Sequence, residues 1–132
     1  MKKTGLLHAE LSRVIASMGH LDTLVIGDAG LPVPKGVLVI DLALKRGVPG
    51  FLETLEVVLS ELEVQDAIIA SEQAPLSAEI HAAFTSFWNA RTPVQEIPHE
   101  EFKVRTRDAK AVVRTGEFTP YSNVILVAGV VF

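Results

Sequence analysis

Residues 19–34 have the sequence GHLDTLVIGDAGLPVP, in which a short apolar run stands between a histidine and a carboxylate. The run, Leu24–Ile26, is short and rich in β-branched residues, which predicts a buried strand. The DAGLP that follows is typical of a turn. His20 and Asp28 therefore flank a single strand, and loops at strand ends often carry functional groups. The spacing alone does not show that the two side chains meet.

Helical and strand patterns alternate along most of the chain. Helices are predicted over 6–18, 51–62, 77–88 and 99–107, and strands over 24–26, 37–40, 67–70, 94–97, 111–114 and 124–131. This order favours a layered α/β domain with a mixed, mostly parallel sheet flanked by helices. The last two strands are too close in sequence for a helical crossover, so they are antiparallel neighbours or lie apart. With no linker or repeat, residues 1–132 are expected to form a single domain.

Composition excludes several classes of function. The chain has 132 residues, of which 48% are hydrophobic, and no cysteine, so thiol catalysis and thiolate metal sites are ruled out. Its mean hydropathy of +0.34 is high for a small monomer and predicts apolar surface buried between subunits. A net charge of −4 argues against nucleic acid as the main partner. No apolar run is long enough for a membrane span or a signal peptide, so a cytoplasmic location is expected.

The histidine and the carboxylate around the first strand each have two interpretations. His20 follows a predicted helix, where a charged imidazole is favoured by the helix dipole, or it is a general acid/base. Asp28 caps a turn through its own backbone, or it orients and balances His20. Asp22 and Asp41 also lie near strand ends and are interpreted as turn-forming residues. The residues alone leave these alternatives open.

Two other polar stretches are candidates for a site. The loop 115–123 holds the only tyrosine, Tyr121, beside groups that suit sugar hydroxyls, although a plain polar loop is the simpler interpretation. His99 precedes two glutamates, but adjacent glutamates face different sides of a helix and no pair of histidines is spaced as in helical zinc motifs. No metal is therefore expected. His8 and His81 are interpreted as solvated residues on helix faces, and Ser77 as a helix cap.

Four separated motifs together resemble the D-ribose pyranase family, the ribose-type branch of the ribose/fucose mutarotases. They are Gly19-His20-Leu21-Asp22, Asp28-Ala29-Gly30-Leu31-Pro32-Val33-Pro34, His99-Glu100-Glu101-Phe102-Lys103 and Arg114-Thr115-Gly116-Glu117-Phe118-Thr119-Pro120-Tyr121-Ser122-Asn123. The resemblance extends from the first lysines to Phe132, while the middle of the chain, 53–89, contributes little to it and no site residue. The Thr-Pro-Tyr-x-Asn ending is more similar to the ribose branch than to the fucose branch.

The resemblance implies an activity, a site and an assembly. It implies interconversion of the pyranose and furanose forms of D-ribose, without a cofactor, at a subunit interface of a ring of ten subunits. His20 and Asp28 would be the acid/base pair, and His99, Tyr121 and Asn123 would hold sugar hydroxyls. The resemblance also implies that Lys103 reaches a neighbour's site. The alternatives are a fucose-type mutarotase, a non-catalytic ribose-binding partner of a transporter and a metal-dependent aldose isomerase.

Overall fold

The computed structural model describes residues 1–3, 5–89 and 91–132. Its helices are α1 (Ala9–Ser17), α2 (Phe51–Leu59), α3 (Gln73–Leu76), α4 (Ala78–Trp88) and α5 (His99–Arg105), with a 3-10 turn at Thr106–Asp108. Its strands are β1 (Thr23–Gly27), β2 (Leu38–Asp41), β3 (Val64–Ala70), β4 (Val94–Ile97), β5 (Ala111–Arg114) and β6 (Val124–Ala128). In the described part of the chain, no helix has the length and apolar character that crossing a membrane requires.

The strands form one six-stranded sheet in the order β2-β5-β1-β6-β3-β4. The pairs β1–β5, β2–β5 and β3–β4 are parallel, whereas β6 runs antiparallel to its neighbours β1 and β3. The predicted mixed, mostly parallel sheet is therefore confirmed. The last two strands lie apart, with β1 between them. Because only β6 is reversed, the carboxyl ends of the other strands share one sheet edge with the start of β6.

Alternating side chains of the central strands pack on opposite faces of the sheet. In β1, Leu24 and Ile26 join the larger core with α1, α2 and α4, while Val25 joins a second core that contains Phe102 of α5. This alternation is the period-2 pattern of a strand buried on both faces. The two cores place helices on both sides of the sheet and complete the layered α/β architecture.

Several boundaries differ from the sequence prediction for local reasons. α1 begins after His8, because the Nδ1 atom of His8 accepts a hydrogen bond from the Leu11 N–H at 3.2 Å and caps the helix. Ser77 precedes α4 as predicted, yet its side chain does not cap the helix and instead donates to the carbonyl oxygen of Pro120. The prediction also missed α3, which is one short turn containing a proline.

Candidate functional site

Polar segments converge where the parallel strands end. Asp28 follows β1, Glu72 follows β3, His99 follows β4 and Arg114 ends β5, while Asn123 immediately precedes β6. All of these except Glu72 line a cavity of about 530 Å³, whose walls are Asp28, Ala29, Gly30, Leu31, Pro32, His99, Arg114, Glu117, Phe118, Pro120, Tyr121 and Asn123. Ligand sites in open α/β sheets form outside the carboxyl ends of strands, so this cavity is the candidate site.

Asp28 is held by the buried side chain of Asn123. The Asn123 Oδ1 atom accepts from the Asp28 backbone N–H at 2.8 Å, and its Nδ2 atom donates to Asp28 Oδ2 at 3.1 Å. A Cβ atom at Gly27 would lie 3.2 Å from Asn123 Oδ1 and 2.7 Å from Leu31 Cδ2, so glycine permits this close approach. The two hydrogen bonds fix the Asp28 carboxylate against the pocket wall.

The surroundings of Asp28 shift the pKa of its carboxyl upward. Burial raises the pKa of the Asp28 carboxyl above its ordinary value. Hydrogen bonds from the Gly30 backbone and the Asn123 side chain lower the pKa, as does the charge of His99, but together by less than burial raises it. A carboxylate with a raised pKa in a cavity is a candidate for proton chemistry.

His99 and Tyr121 form the aromatic part of the cavity. Their rings meet edge-to-face with centroids 5.0 Å apart. The His99 Nδ1 atom is buried and has no hydrogen-bond partner among the described residues. Buried polar atoms are nearly always satisfied, so this nitrogen is suited to a ligand hydroxyl.

Acidic side chains hold the segments that carry these groups. The Glu72 carboxylate accepts from the His99 N–H at 3.1 and 2.9 Å through its two oxygens, and that hydrogen bond lowers the pKa of Glu72. Glu117 accepts from the N–H groups of Phe51 at 3.3 Å and Thr119 at 3.1 Å. Burial raises the pKa of Glu117, but hydrogen bonds, mainly from Thr119, outweigh it and leave the pKa lowered. Both carboxylates therefore favour the charged form.

Arg114 supports the loop after β1. Its Nε atom donates to the Ala29 carbonyl oxygen at 3.0 Å, while Nη1 contacts both carboxylate oxygens of Asp41 at 3.1 and 3.0 Å. Asp41, which the sequence suggested was only a turn-forming residue, thus orients an arginine of the pocket.

Two of the predicted site residues lie elsewhere in this chain. His20 precedes β1 at the opposite edge of the sheet, where it is exposed and its Nε2 atom lies 2.8 Å from Gln65 Oε1. β1 has five residues, and a strand of that length spans roughly 16 Å, so His20 and Asp28 of one chain do not meet. Lys103 forms an ion pair with Glu100 at 2.7 Å and lines a separate cavity of about 410 Å³.

The sequence prediction missed supporting residues in the middle of the chain. Glu72, Gln73 and Ser77 lie within the stretch that was expected to contribute nothing, yet each hydrogen-bonds a segment of the pocket. His81 is also more than a solvated helix residue, since its Nδ1 atom lies 3.0 Å from Gln73 Oε1. The position of Glu72 just after a predicted parallel strand is the signal that would have found this region.

Among the described residues, no group of three or more His, Cys, Asp or Glu side chains is arranged to hold a metal ion. The two glutamates that follow His99 each form an ion pair with a different basic residue. Glu100 pairs with Lys103, and Glu101 pairs with Arg105 at 3.2 Å. The two glutamates diverge, as their adjacency on a helix requires.

Comparisons with known proteins show the family and the fold of the chain. A model of the RbsD / FucU transport protein family matches residues 1–131. The D-ribose pyranase of Coprothermobacter proteolyticus is 57% identical over 132 residues, which cover 100% of both chains. The solved structure of Bacillus subtilis RbsD complexed with D-ribose has a TM-score of 0.96 and 48% identity over 100% of both chains. A fucose mutarotase from Streptococcus pneumoniae in complex with L-fucose shares the fold, with a TM-score of 0.76, 23% identity and 96% and 95% coverage.

Proposed function

The chain belongs to the RbsD / FucU transport protein family, and on that premise we propose that it is a D-ribose pyranase. It is an intramolecular isomerase that interconverts the pyranose and furanose forms of ribose, and the proposal covers residues 1–132 as one domain. The observation that carries the proposal is the pocket of Asp28, His99, Tyr121 and Asn123. Bacillus subtilis RbsD, a relative at 48% identity, has been solved in complex with D-ribose.

The reaction requires only proton transfer. A base removes the proton of the anomeric hydroxyl while an acid protonates the ring oxygen, so the bond between the anomeric carbon and the ring oxygen breaks and an aldehyde forms. A different hydroxyl then attacks the aldehyde carbon and loses its proton, while the aldehyde oxygen gains one. Positioned acid/base groups contribute about 10²–10⁴-fold to such steps. Donors and acceptors held on a fixed pocket wall suit this chemistry.

We assign proton transfer to His20, with Asp28 orienting and charge-balancing its imidazole, on sugar held by His99, Tyr121 and Asn123. Because His20 and Asp28 of one chain lie at opposite ends of β1, the His20 that acts on sugar beside Asp28 has to come from a neighbouring subunit. Exposed apolar side chains beside both groups support such an interface. Leu21, next to His20, is 60% exposed, and Phe118, at the pocket, is 57% exposed.

An interface between subunits also allows Lys103 to act at the site of a neighbouring subunit. Its cavity adjoins the candidate site through Pro32, which lines both. We propose that its ammonium group reaches sugar bound by an adjacent subunit, as the family resemblance implies. We propose a ring-shaped assembly of ten subunits in the cytoplasm, with no metal, nucleic acid or membrane partner.

Saturation-transfer NMR on equilibrated ribose tests the function directly. We expect the protein to speed exchange between the pyranose and furanose anomeric signals. Unchanged exchange with ribose signals broadened by binding would identify a non-catalytic ribose-binding partner instead. Faster exchange of L-fucose than of ribose would indicate a fucose-type mutarotase, and chelator-sensitive conversion of aldose to ketose would indicate a metal-dependent isomerase.

The raised pKa of Asp28 predicts the pH range in which activity is lost on acidification. Since burial disfavours the charged carboxylate, protonation begins at a higher pH than in a free aspartate, whose pKa is about 3.9. We therefore expect the acid limb of kcat/KM to lie above that value. The profile is measured by exchange NMR, with the uncatalysed rate subtracted at each pH. An acid limb at or below the ordinary aspartate value would contradict the assigned role of Asp28.

A further inference from the structure

We propose that Gln73, oriented by His81, is a positioning residue that fixes Tyr121 for sugar recognition. The inference rests on the proposed function, in which Tyr121 contacts the sugar. It concerns α3 and α4, outside the motifs that carry the family resemblance. The Gln73 amide links the Tyr121 backbone to the His81 ring.

Tyr121 has a backbone conformation that needs support. Its φ of 60° lies in the left-handed region, which residues with a side chain rarely adopt. Its carbonyl oxygen accepts two hydrogen bonds, one from the Asn123 N–H at 2.9 Å and one from Gln73 Nε2 at 3.0 Å. The orientation of this peptide group sets the direction of the tyrosine ring toward the cavity and His99.

Both polar atoms of the Gln73 side-chain amide have hydrogen-bond partners. Gln73 is 0% exposed, and a carbonyl oxygen only accepts, so its NH₂ group must face Tyr121. Its Oε1 atom then faces His81 Nδ1 at 3.0 Å, which requires a proton on that nitrogen. His81 thereby opposes a flip of the amide that would place two oxygens against each other.

The flanking residues hold neighbouring parts of the pocket. Ser77 donates to the carbonyl oxygen of Pro120, directly before Tyr121. Glu72 accepts from the N–H of His99, whose ring meets that of Tyr121. The segment 72–77 therefore connects the two aromatic walls of the cavity, and Gln73 is its fully buried contact with Tyr121.

A single fluorine label tests the positioning step without any sugar. The chain has one tyrosine, so incorporated 3-fluorotyrosine reports on Tyr121 alone in a ¹⁹F NMR spectrum. We expect Gln73→Met to shift or broaden this resonance in the assembled, ligand-free protein. The control is Trp88→Phe, which removes a partly buried hydrogen bond from Nε1 to the Thr92 carbonyl oxygen, outside the pocket lining, and should leave the resonance unchanged. An unchanged resonance in Gln73→Met would overturn the inference, whether or not the protein acts on ribose.

Kinetics separate positioning from general destabilisation. In Gln73→Met we expect half-saturation of exchange to need about tenfold more ribose, as for one lost hydrogen bond. The rate at saturation changes by less than about twofold, because binding rather than the proton-transfer step is weakened. Trp88→Phe should keep the wild-type half-saturation. Equal half-saturation in Gln73→Met and the wild type, in a protein that does accelerate exchange, would sink the positioning role while leaving the proposed function intact.

Two substitutions of His81 keep the test decisive if Gln73→Met does not fold. His81→Leu removes the donor that orients the amide, and we expect it to raise half-saturation and alter the fluorotyrosine resonance. His81→Asn retains an N–H donor near the position of Nδ1 and should restore both toward wild type. Identical behaviour of the two variants in both measurements would overturn the inference.

Discussion

Replacing His20 with alanine is expected to slow enzymatic ribose exchange by about 10²–10⁴-fold, the usual contribution of a positioned acid/base group. The side chain is exposed in its own chain, where Gln65 is its hydrogen-bond partner. The substitution should therefore leave folding and assembly unchanged. Exchange NMR and size-exclusion chromatography with light scattering measure the two effects on one sample.

The matched control is a second histidine outside the site. His8→Ala removes the cap of α1 and should cost about 1 kcal/mol of stability. It should leave exchange at the wild-type rate. A fully assembled His20→Ala protein that exchanges ribose at that rate would show that His20 does not move the proton.

Replacing Asp28 with asparagine is expected to lower exchange by at least about 10²-fold. Asparagine keeps the size of the side chain but cannot accept a proton or carry the charge that orients the imidazolium. Its NH₂ group would also replace one of the two carboxylate oxygens that now accept from Asn123 Nδ2 at 3.1 Å and from the Gly30 N–H at 2.9 Å, so one of these donors would face another donor. The loss should appear in the rate at saturating ribose as well as in half-saturation.

Asp108→Asn supplies the comparison for that variant. Asp108 is an exposed carboxylate in the 3-10 turn and does not line the pocket. It should keep wild-type exchange. Wild-type rates in Asp28→Asn would instead limit Asp28 to the turn-forming role that its local hydrogen bond with the Gly30 N–H at 2.9 Å also fits.

Much of the fold is predictable because its central strands are continuous apolar runs. The predicted strands 94–97 and 111–114 match β4 and β5. Whether the last two strands are neighbours or lie apart could be decided only from the strand pairing in the structure. α3 was missed because Gln73–Leu76 is too short to show helical periodicity. Strand pairing depends on contacts distant in sequence, which local pattern does not contain.

The site was predictable in composition but not in arrangement. Sequence motifs pointed to Asp28, His99, Tyr121 and Asn123, and the structure brings these residues to one cavity. His20 and Asp28 are close in sequence but not in space within one chain, because a strand between two residues separates them along its full length. Gln73 had no local signal, since its partners Tyr121 and His81 depend on the sheet order and on helix packing.

Coassembly of His20→Ala and Asp28→Asn subunits tests the central claim most directly. If each site combines the pocket of one subunit with the His20 of another, random equal mixing restores both groups in about a quarter of the sites. We therefore expect coexpressed, doubly tagged assemblies to recover roughly a quarter of wild-type ribose exchange per site, although each variant alone is nearly inactive. Mixed assemblies that stay as inactive as the separate variants would contradict a ribose pyranase site completed between subunits.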